Sequence, residues 1–166
     1  LSGDGGDELF GGYARYAFLE GIWKQIGWLP YGIRKRIRQS LKSGCLGFLL
    51  KQVGRKGETL AGMLDMKDGF DLYQQFNTHW RELSHVVKGV QEPPWFSDSL
   101  SNWPRKMKLR EQMMGIDTLT YLPEDILTKV DRASMSLALE ARVPLLDYRV
   151  VEFAWTLPLA LRVHGK

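Results

Sequence analysis

Apolar residues recur at three- and four-residue intervals along most of this 166-residue chain. Runs in which β-branched or aromatic residues alternate with a period of two, the pattern of a half-buried strand, are nearly absent. The sequence therefore predicts a mainly α-helical structure. The predicted helices cover 7–23, 30–42, 60–64, 69–80, 105–119, 123–141 and 148–155, and Leu1 fits the end of a strand.

Composition places the chain among ordinary globular proteins, with 44% hydrophobic and 25% charged residues, and a single domain is the natural expectation. No apolar run approaches the roughly 20 residues of a membrane helix. A lone cysteine, Cys45, rules out an internal disulfide and suits a reducing compartment. We expect a cytoplasmic protein without a membrane segment. The chain opens at Leu1 inside a dense motif and stops abruptly at Lys166, so we also expect it to be a piece of a larger protein.

The opening segment, 1–13, combines five glycines with the carboxylates of Asp4, Asp7 and Glu8. Glycines let backbone N–H groups approach a ligand closely, and a helix N-terminus favours an anion. Carboxylates repel a bare phosphate, so a phosphate fits here only if Mg²⁺ is shared between carboxylate and phosphate oxygens. The motif predicts magnesium–nucleotide chemistry. The alternative is a turn leading into a helix capped by Asp7, with Glu8 favourable to the helix dipole.

A second polar group lies in the helix predicted over 123–141. The spacing of Asp125, Lys129 and Arg132 places them on one helix face. A solvated face with an ion pair between residues four apart is the alternative to a catalytic role for Asp125. The opposite face carries an apolar stripe of Ile126, Leu127, Val130, Ala133, Leu137 and Ala138.

A third polar group surrounds the end of that helix. Arg142 lies between the acids Glu140 and Asp147, and we favour an arginine that fixes a helix end through carboxylates or carbonyls. The histidines lack metal-ligand spacing, and Cys45 has no base nearby in sequence, which favours an inert thiol. The histidines are His79, His85 and His164.

Basic residues cluster between positions 34 and 56. They could contact nucleic acid electrostatically, but a solvated face is favoured because the net charge is only +4. The cluster consists of Arg34, Lys35, Arg36, Arg38, Lys42, Lys51, Arg55 and Lys56.

The three motifs occur in a specific order: Leu-Ser-Gly-Asp-Gly-Gly-Asp-Glu-Leu-Phe-Gly-Gly-Tyr, then Leu-Pro-Glu-Asp-Ile-Leu-Thr-Lys-Val-Asp-Arg-Ala-Ser-Met, then Leu-Glu-Ala-Arg-Val-Pro-Leu-Leu-Asp. This order resembles the synthetase domain of the glutamine-hydrolysing asparagine synthetase family. The resemblance is strong over 1–20 and 105–166, whereas 43–104 looks like a variable helical insertion. It implies that 1–166 is one fragment, the helical C-terminal half of an α/β adenine-nucleotide (PP-loop) synthetase domain whose strands mostly precede it.

The resemblance also implies an ATP-dependent ligation. Aspartate attacks the α-phosphate of ATP to give β-aspartyl-AMP and pyrophosphate, and ammonia from an N-terminal glutaminase domain then displaces AMP to give asparagine. Related members amidate other carboxylates, including sugar acids of surface polysaccharides, or close β-lactam rings, so the acceptor stays open. ATP and Mg²⁺ are the implied cofactors. Neither nucleic acid nor a membrane is an implied partner, and a homodimer is compatible with the resemblance.

Site residues are carried over by position in the motifs. Ser2 and Gly3 would contact the nucleotide, and Asp7 would ligate the Mg²⁺ that holds the pyrophosphate. Asp4 stands where well-studied asparagine synthetases have a Glu that orients or deprotonates ammonia, and it is one methylene shorter. Asp125 matches an acidic residue near the substrate, with a one-residue offset when the match is counted back from 140–142.

Two parts of the family's ATP site have no match in this sequence. The pyrophosphate-binding loop, of Ser-Gly-Gly-x-Asp-Ser type, is expected upstream, and a catalytic Lys is expected downstream. The 166-residue chain by itself is therefore expected to bind ATP weakly or not at all and to be inactive.

Overall fold

The computed structural model describes residues 1–43, 61–78, 86–89 and 107–163. Within these ranges the regular structure is entirely helical, with no strand, which confirms the mainly α prediction. Leu1 lies outside any regular element, since the described residues offer it no strand to pair with. Among them, no helix has both the length and the apolar character needed to cross a membrane.

Eight α-helices are assigned names here, in chain order. They are α1 (Gly6–Phe10), α2 (Ala14–Ile26), α3 (Tyr31–Ser43), α4 (Gly69–Asn77), α5 (Leu109–Leu119), α6 (Thr128–Met135), α7 (Tyr148–Thr156) and α8 (Leu159–Arg162). A π-helical segment, Leu122–Leu127, leads directly into α6, and a 3₁₀ turn, Pro144–Leu146, precedes α7. The helices predicted over 30–42, 69–80, 105–119 and 148–155 are thus confirmed, with shifts of up to four residues at their ends.

The helix predicted over 7–23 is interrupted at its centre. Gly11 adopts a left-handed conformation, with φ 66°, and ends α1. The amides of Gly11 and Gly12 both donate to the carbonyl of Asp7, which closes the last turn. Such a C-terminal cap favours glycine, which has no Cβ to oppose a positive φ. The chain therefore turns after α1 and begins α2 at Ala14.

The helix predicted to reach 141 ends six residues earlier, at Met135. Ala138 adopts a positive φ of 54°, and the amide of Leu139 donates to the Ser134 carbonyl at 3.1 Å. This six-to-one bond is that of a Schellman motif, usually built around glycine. No residue of the predicted apolar stripe is buried: its first half is partly exposed, and Leu137 near its end is 74% exposed.

Contacts divide the chain into two compact units, 1–17 with 93–166 (unit 1) and 18–92 (unit 2). The apolar core of unit 1 comprises Leu9, Tyr16, Met113, Met114, Leu122 and Ala154. That of unit 2 comprises Leu19, Ala61, Met63, Leu72 and Tyr73. The insertion predicted over 43–104 stays a prediction, because much of that range lies outside the described residues.

Several other predictions also fall outside the described residues. They concern the thiol, the three histidines and three of the cations. These residues are Cys45, His79, His85, His164, Lys51, Arg55 and Lys56.

A buried arginine organises unit 2. Arg34, only 2% exposed, donates to the backbone carbonyls of Leu29, Met66 and Lys67 at 2.9, 2.6 and 3.1 Å. Its guanidinium also lies 4.9 Å from the ring centre of Trp23. A planar fork with several donors suits this task, because it satisfies carbonyls on two separate segments at once.

Replacing Arg34 with Met would leave these buried carbonyls without donors. We expect the free energy of opening of unit 2 to fall by about 2–4 kcal/mol. Hydrogen exchange of the α3 and α4 amides measures this value. The control is Arg36→Met, on the exposed side of the same helix, where the change should stay within about 0.5 kcal/mol. Equal protection in both variants would contradict the assignment.

Candidate active site

The opening turn comprises residues 2–8, and polar groups within it bond to one another. The Ser2 hydroxyl donates to Oδ2 of Asp4 at 2.5 Å, and Gly5 follows with φ 86°. Gly5 is the N-cap of α1 and has no side chain to offer, so the alternative in which Asp7 caps the helix is wrong. Asp7 instead lies in the first turn, where its carboxylate is exposed and favourable to the helix dipole.

The next residue, Glu8, is buried. It is 1% exposed and accepts a hydrogen bond from the Tyr13 hydroxyl at 2.7 Å. Burial, followed by this hydrogen bond, raises the pKa of Tyr13 far above its ordinary value. Glu8 therefore faces the interior of unit 1, whereas its neighbour Asp7 faces solvent.

The opening turn packs against the other two motifs. The Ser2 amide donates to the Arg142 carbonyl at 2.8 Å. A Cβ placed on Gly5 would collide with the Leu146 side chain and would lie 4.0 Å from Leu122. The three motifs, far apart in sequence, thus meet around one glycine.

Asp125 lies on the π-helical segment. The Thr128 hydroxyl donates to the Pro123 carbonyl, five residues earlier, at 3.0 Å. Nζ of Lys129 lies 2.6 Å from the Asp125 carboxylate, which confirms the predicted pair. This hydrogen bond raises the pKa of Lys129. Among the described residues, no hydrogen bond or ion pair joins Asp125 to the opening turn.

The third motif differs from its prediction in detail. A helix end is fixed by a charged pair, but the residues are Asp147 and Arg149 rather than Arg142. Asp147 caps α7 by accepting from the Arg149 amide at 3.0 Å, and it receives two more hydrogen bonds from that guanidinium at 2.9 and 2.7 Å. Arg142 pairs with Glu140 at 3.0 Å, and both side chains are largely exposed.

The oxygen atoms of the opening turn are the ligands that Mg²⁺ prefers. Ser2, Asp4 and Asp7 offer a hydroxyl and two carboxylates, and Mg²⁺ commonly takes one or two protein carboxylates together with substrate phosphates. Within the part of the chain that the structure describes, no group of three His, Cys, Asp or Glu side chains is arranged to hold a metal by itself. The donor set therefore fits a cation that phosphate oxygens help to hold.

A cluster behind the opening turn was missed by the sequence analysis. Arg15 lies 2.5 Å from the fully buried carboxylate of Asp117, and the Tyr16 hydroxyl donates to the same oxygen at 2.6 Å. The Arg15 guanidinium also lies over the rings of Tyr13 and Tyr121, 4.2 and 4.7 Å from their centres. No local pattern connects positions 15 and 117, although the closeness of Arg15 to the motif was a usable signal.

Gly5 provides a test of the convergence of the motifs. Gly5→Ala should impose a left-handed strain of roughly 1–2 kcal/mol and add the clash with Leu146. We expect the amides of α1 to lose hydrogen-exchange protection. Gly21→Ala, inside α2 with open space around the added methyl group, should instead stabilise by about 0.5–1 kcal/mol. Undiminished protection of α1 in Gly5→Ala would refute the packing described here.

The capping pair of α7 provides a test in pH. The bonds from Arg149 lower the pKa of Asp147 from 3.8 to about 2. Because the pKa is lower in the folded state, the stabilisation is complete above about pH 4 and is lost as the pH falls through about 2. We expect an NMR titration of the carboxyl carbon to show its midpoint near 2, whereas a midpoint near 3.8 would contradict the pair. Asp147→Asn keeps a side chain that can cap α7. In this variant the hydrogen-exchange protection of the α7 amides should depend less on pH in the acid range.

The profile of the asparagine synthase family matches residues 1–166. Proteins of Mycobacterium tuberculosis and Mycobacterium bovis, provisionally named asparagine synthetase (glutamine-hydrolyzing), are each 29% identical over 98% of this chain and 24% of their own length. Asparagine synthetase (glutamine-hydrolyzing) 1 of Bacillus subtilis is 26% identical over 99% of this chain and 26% of its own length.

No solved structure matches the chain significantly. The chain spans about a quarter of the length of the curated relatives that it matches over nearly all its residues. The family profile, in contrast, covers every residue of the chain, including the three motifs that meet around Gly5. The chain therefore belongs to the asparagine synthase family.

Proposed function

We propose that this chain is the helical C-terminal part of the ATP-using domain of a glutamine-hydrolysing asparagine synthetase. The observation that carries the proposal is the meeting of the three family motifs around Gly5, with Leu122 and Leu146 on either side. In the complete protein, the side-chain carboxylate of aspartate would form a bond to the α-phosphorus of ATP as the bond to pyrophosphate breaks. Ammonia, delivered from a glutaminase domain, would then form the amide and release AMP.

The opening turn has the features of a nucleotide contact. Gly3 is exposed, and nothing lies within 4 Å of a Cβ built on it, so a ligand could approach its backbone closely. Ser2 lies beside it and is itself fixed by its bond to the Arg142 carbonyl. We assign the nucleotide to these two residues.

Asp7 is the residue we assign to Mg²⁺. Its carboxylate is exposed and lies against Gly12, where an added Cβ would collide with Oδ1, whereas the other acid of the helix, Glu8, is buried. Neutralisation of the negative charge on the departing pyrophosphate is the chemistry that Mg²⁺ supplies when bound. The chain's own contribution would be a solvent-exposed carboxylate close to where that charge develops.

Asp4 is the residue we assign to the nitrogen nucleophile. Oδ2 of Asp4 accepts a hydrogen bond from the Ser2 hydroxyl, whereas Oδ1 accepts none from the described residues. A carboxylate held in this way can orient ammonia and accept a proton from it through the other oxygen. Asp125 would act from the π-helical segment as the acidic group near the acceptor, with Lys129 compensating its charge.

A second candidate is a relative that amidates a larger carboxylate, such as a sugar acid. Asp4 favours this candidate, because its side chain is shorter than that of the family's usual Glu and bonds to the Ser2 hydroxyl. More room would then be left for an acceptor. The nucleic-acid alternative gains no such support. Arg34 is buried, and Arg38 pairs with Asp65, so two cations of the basic cluster already have partners within unit 2.

The proposal is tested on the full-length polypeptide with ATP, Mg²⁺, ammonia and aspartate, by measuring AMP and pyrophosphate release. Asp7→Asn, which keeps the shape but removes the charge, should lower turnover at least about 100-fold. Asp68→Asn is the matched control. Asp68 caps α4 in unit 2, and Asn preserves a cap, so turnover should stay unchanged.

Each result of this assay has a defined meaning. Aspartate-dependent release that is lost in Asp7→Asn supports the proposal. Release that depends on a uronic acid and not on aspartate supports the second candidate. Full turnover in Asp7→Asn would contradict the assigned role of the opening turn.

A further inference from the structure

Arg15 is held on three sides by residues of unit 1. Its guanidinium contacts the Asp117 carboxylate at 2.5 Å and lies over the rings of Tyr13 and Tyr121. The Arg15 side chain is 22% exposed, whereas Asp117 is completely buried. A cation that is stacked on two rings and paired with a buried carboxylate has little freedom to move.

The two rings belong to different parts of the proposed site. Tyr13 follows the opening turn, and its hydroxyl donates to Glu8, the residue after Asp7. Tyr121 immediately precedes the π-helical segment that carries Asp125. The rings also contact each other edge to face, with their centres 6.1 Å apart. A continuous series of contacts thus runs from the acidic opening turn, through Arg15, to the segment of Asp125.

The arrangement requires arginine rather than any cation. A guanidinium is planar and delocalised, so it can stack on aromatic faces while its edge donates to a carboxylate. A lysine ammonium could still pair with Asp117, but it is a compact charge without a planar face to stack on an aromatic ring. Arg15→Lys therefore removes the stacking and keeps the charge.

On the basis of the proposed function, we infer that Arg15 is a positioning residue that holds the opening turn and the π-helical segment at a fixed separation. Arg15 would act through its contacts with Tyr13 and Tyr121 and need not touch substrate. Arg15 would set the distance between the segments that carry Asp7 and Asp125. A displacement of about 1 Å between reacting groups can lower the reaction rate by a factor of the order of 100.

The test uses the full-length protein and two readouts. In Arg15→Lys, kcat should fall on the order of 10-fold to 100-fold per folded molecule, and the Mg²⁺ concentration for half-maximal rate should rise. A residue that only stabilised the fold would lower the melting temperature without changing either quantity. An unchanged kcat and an unchanged Mg²⁺ requirement in folded Arg15→Lys would overturn the inference.

Tyr121 supplies a second pair of variants if Arg15→Lys does not fold. Tyr121→Phe keeps the ring and should retain both kcat and the Mg²⁺ requirement. Tyr121→Leu removes the ring and should reproduce the defects expected of Arg15→Lys. Equal behaviour of the two variants would contradict the role of stacking.

Arg38→Lys is the matched control. Arg38 is about as exposed as Arg15 and also pairs with an aspartate, the partly exposed Asp65, but it lies in unit 2, which holds none of the proposed site residues. This change should lower stability without altering kcat or the Mg²⁺ requirement. A comparable loss of kcat in Arg38→Lys would show that any weakened arginine pair has this effect, and would overturn the inference.

Hydrogen exchange separates this inference from the proposed function. In Arg15→Lys, the amides of α1 and of the π-helical segment should lose protection together, while those of α7 do not. This readout does not depend on the reaction. An inactive wild-type protein with coupled loss of protection would refute the proposed function alone, whereas active protein with independent changes in the two segments would refute the positioning role.

Discussion

Burial of the Asp117 carboxylate is the constraint on which much of unit 1 depends. Moving a carboxylate out of water costs several kcal/mol unless a charged partner and hydrogen bonds replace the solvent. Arg15 and the Tyr16 hydroxyl provide both at Oδ2, whereas Oδ1 accepts no hydrogen bond from the described residues, and these contacts attach the start of α2 to α5. α1 precedes α2, and the π-helical segment follows α5. The pair of Arg15 and Asp117 therefore helps to position both segments that carry proposed site residues.

Two adjacent acids in the opening turn have opposite environments for a geometric reason. Consecutive residues on an α-helix are separated by about 100° around the axis. When α1 packs its Leu9 side into the core, Glu8 is buried and Asp7 is left in solvent. The Tyr13 hydroxyl satisfies Glu8. The two acids of the sequence pair Asp-Glu therefore have different surroundings, one in the core and one at the surface.

Sequence patterns over a few residues predicted the features that depend on neighbours along the chain. Periodicity located α4, α5 and α7, and the four-residue spacing predicted the pair of Asp125 and Lys129. The helix ends at Gly11 and Ala138 were missed, the second because alanine occupies a position that usually needs glycine. The contact of Arg15 with Asp117 spans 102 residues, and no periodicity carries information over that distance. Charge patterns also could not show that Arg34 is buried among carbonyls.

The π-helical segment bears on the one-residue offset of Asp125 against the family motif. A π-turn closes over five residues instead of four, so it accommodates one more residue than an α-turn. Pro123 lacks an N–H group at its start, and the Thr128 hydroxyl donates to the Pro123 carbonyl across the wide turn. An extra residue absorbed in this way leaves the following helix, with Lys129, in register. Wide turns of this kind occur often at functional sites, which agrees with a chemical role for the carboxylate that this turn carries.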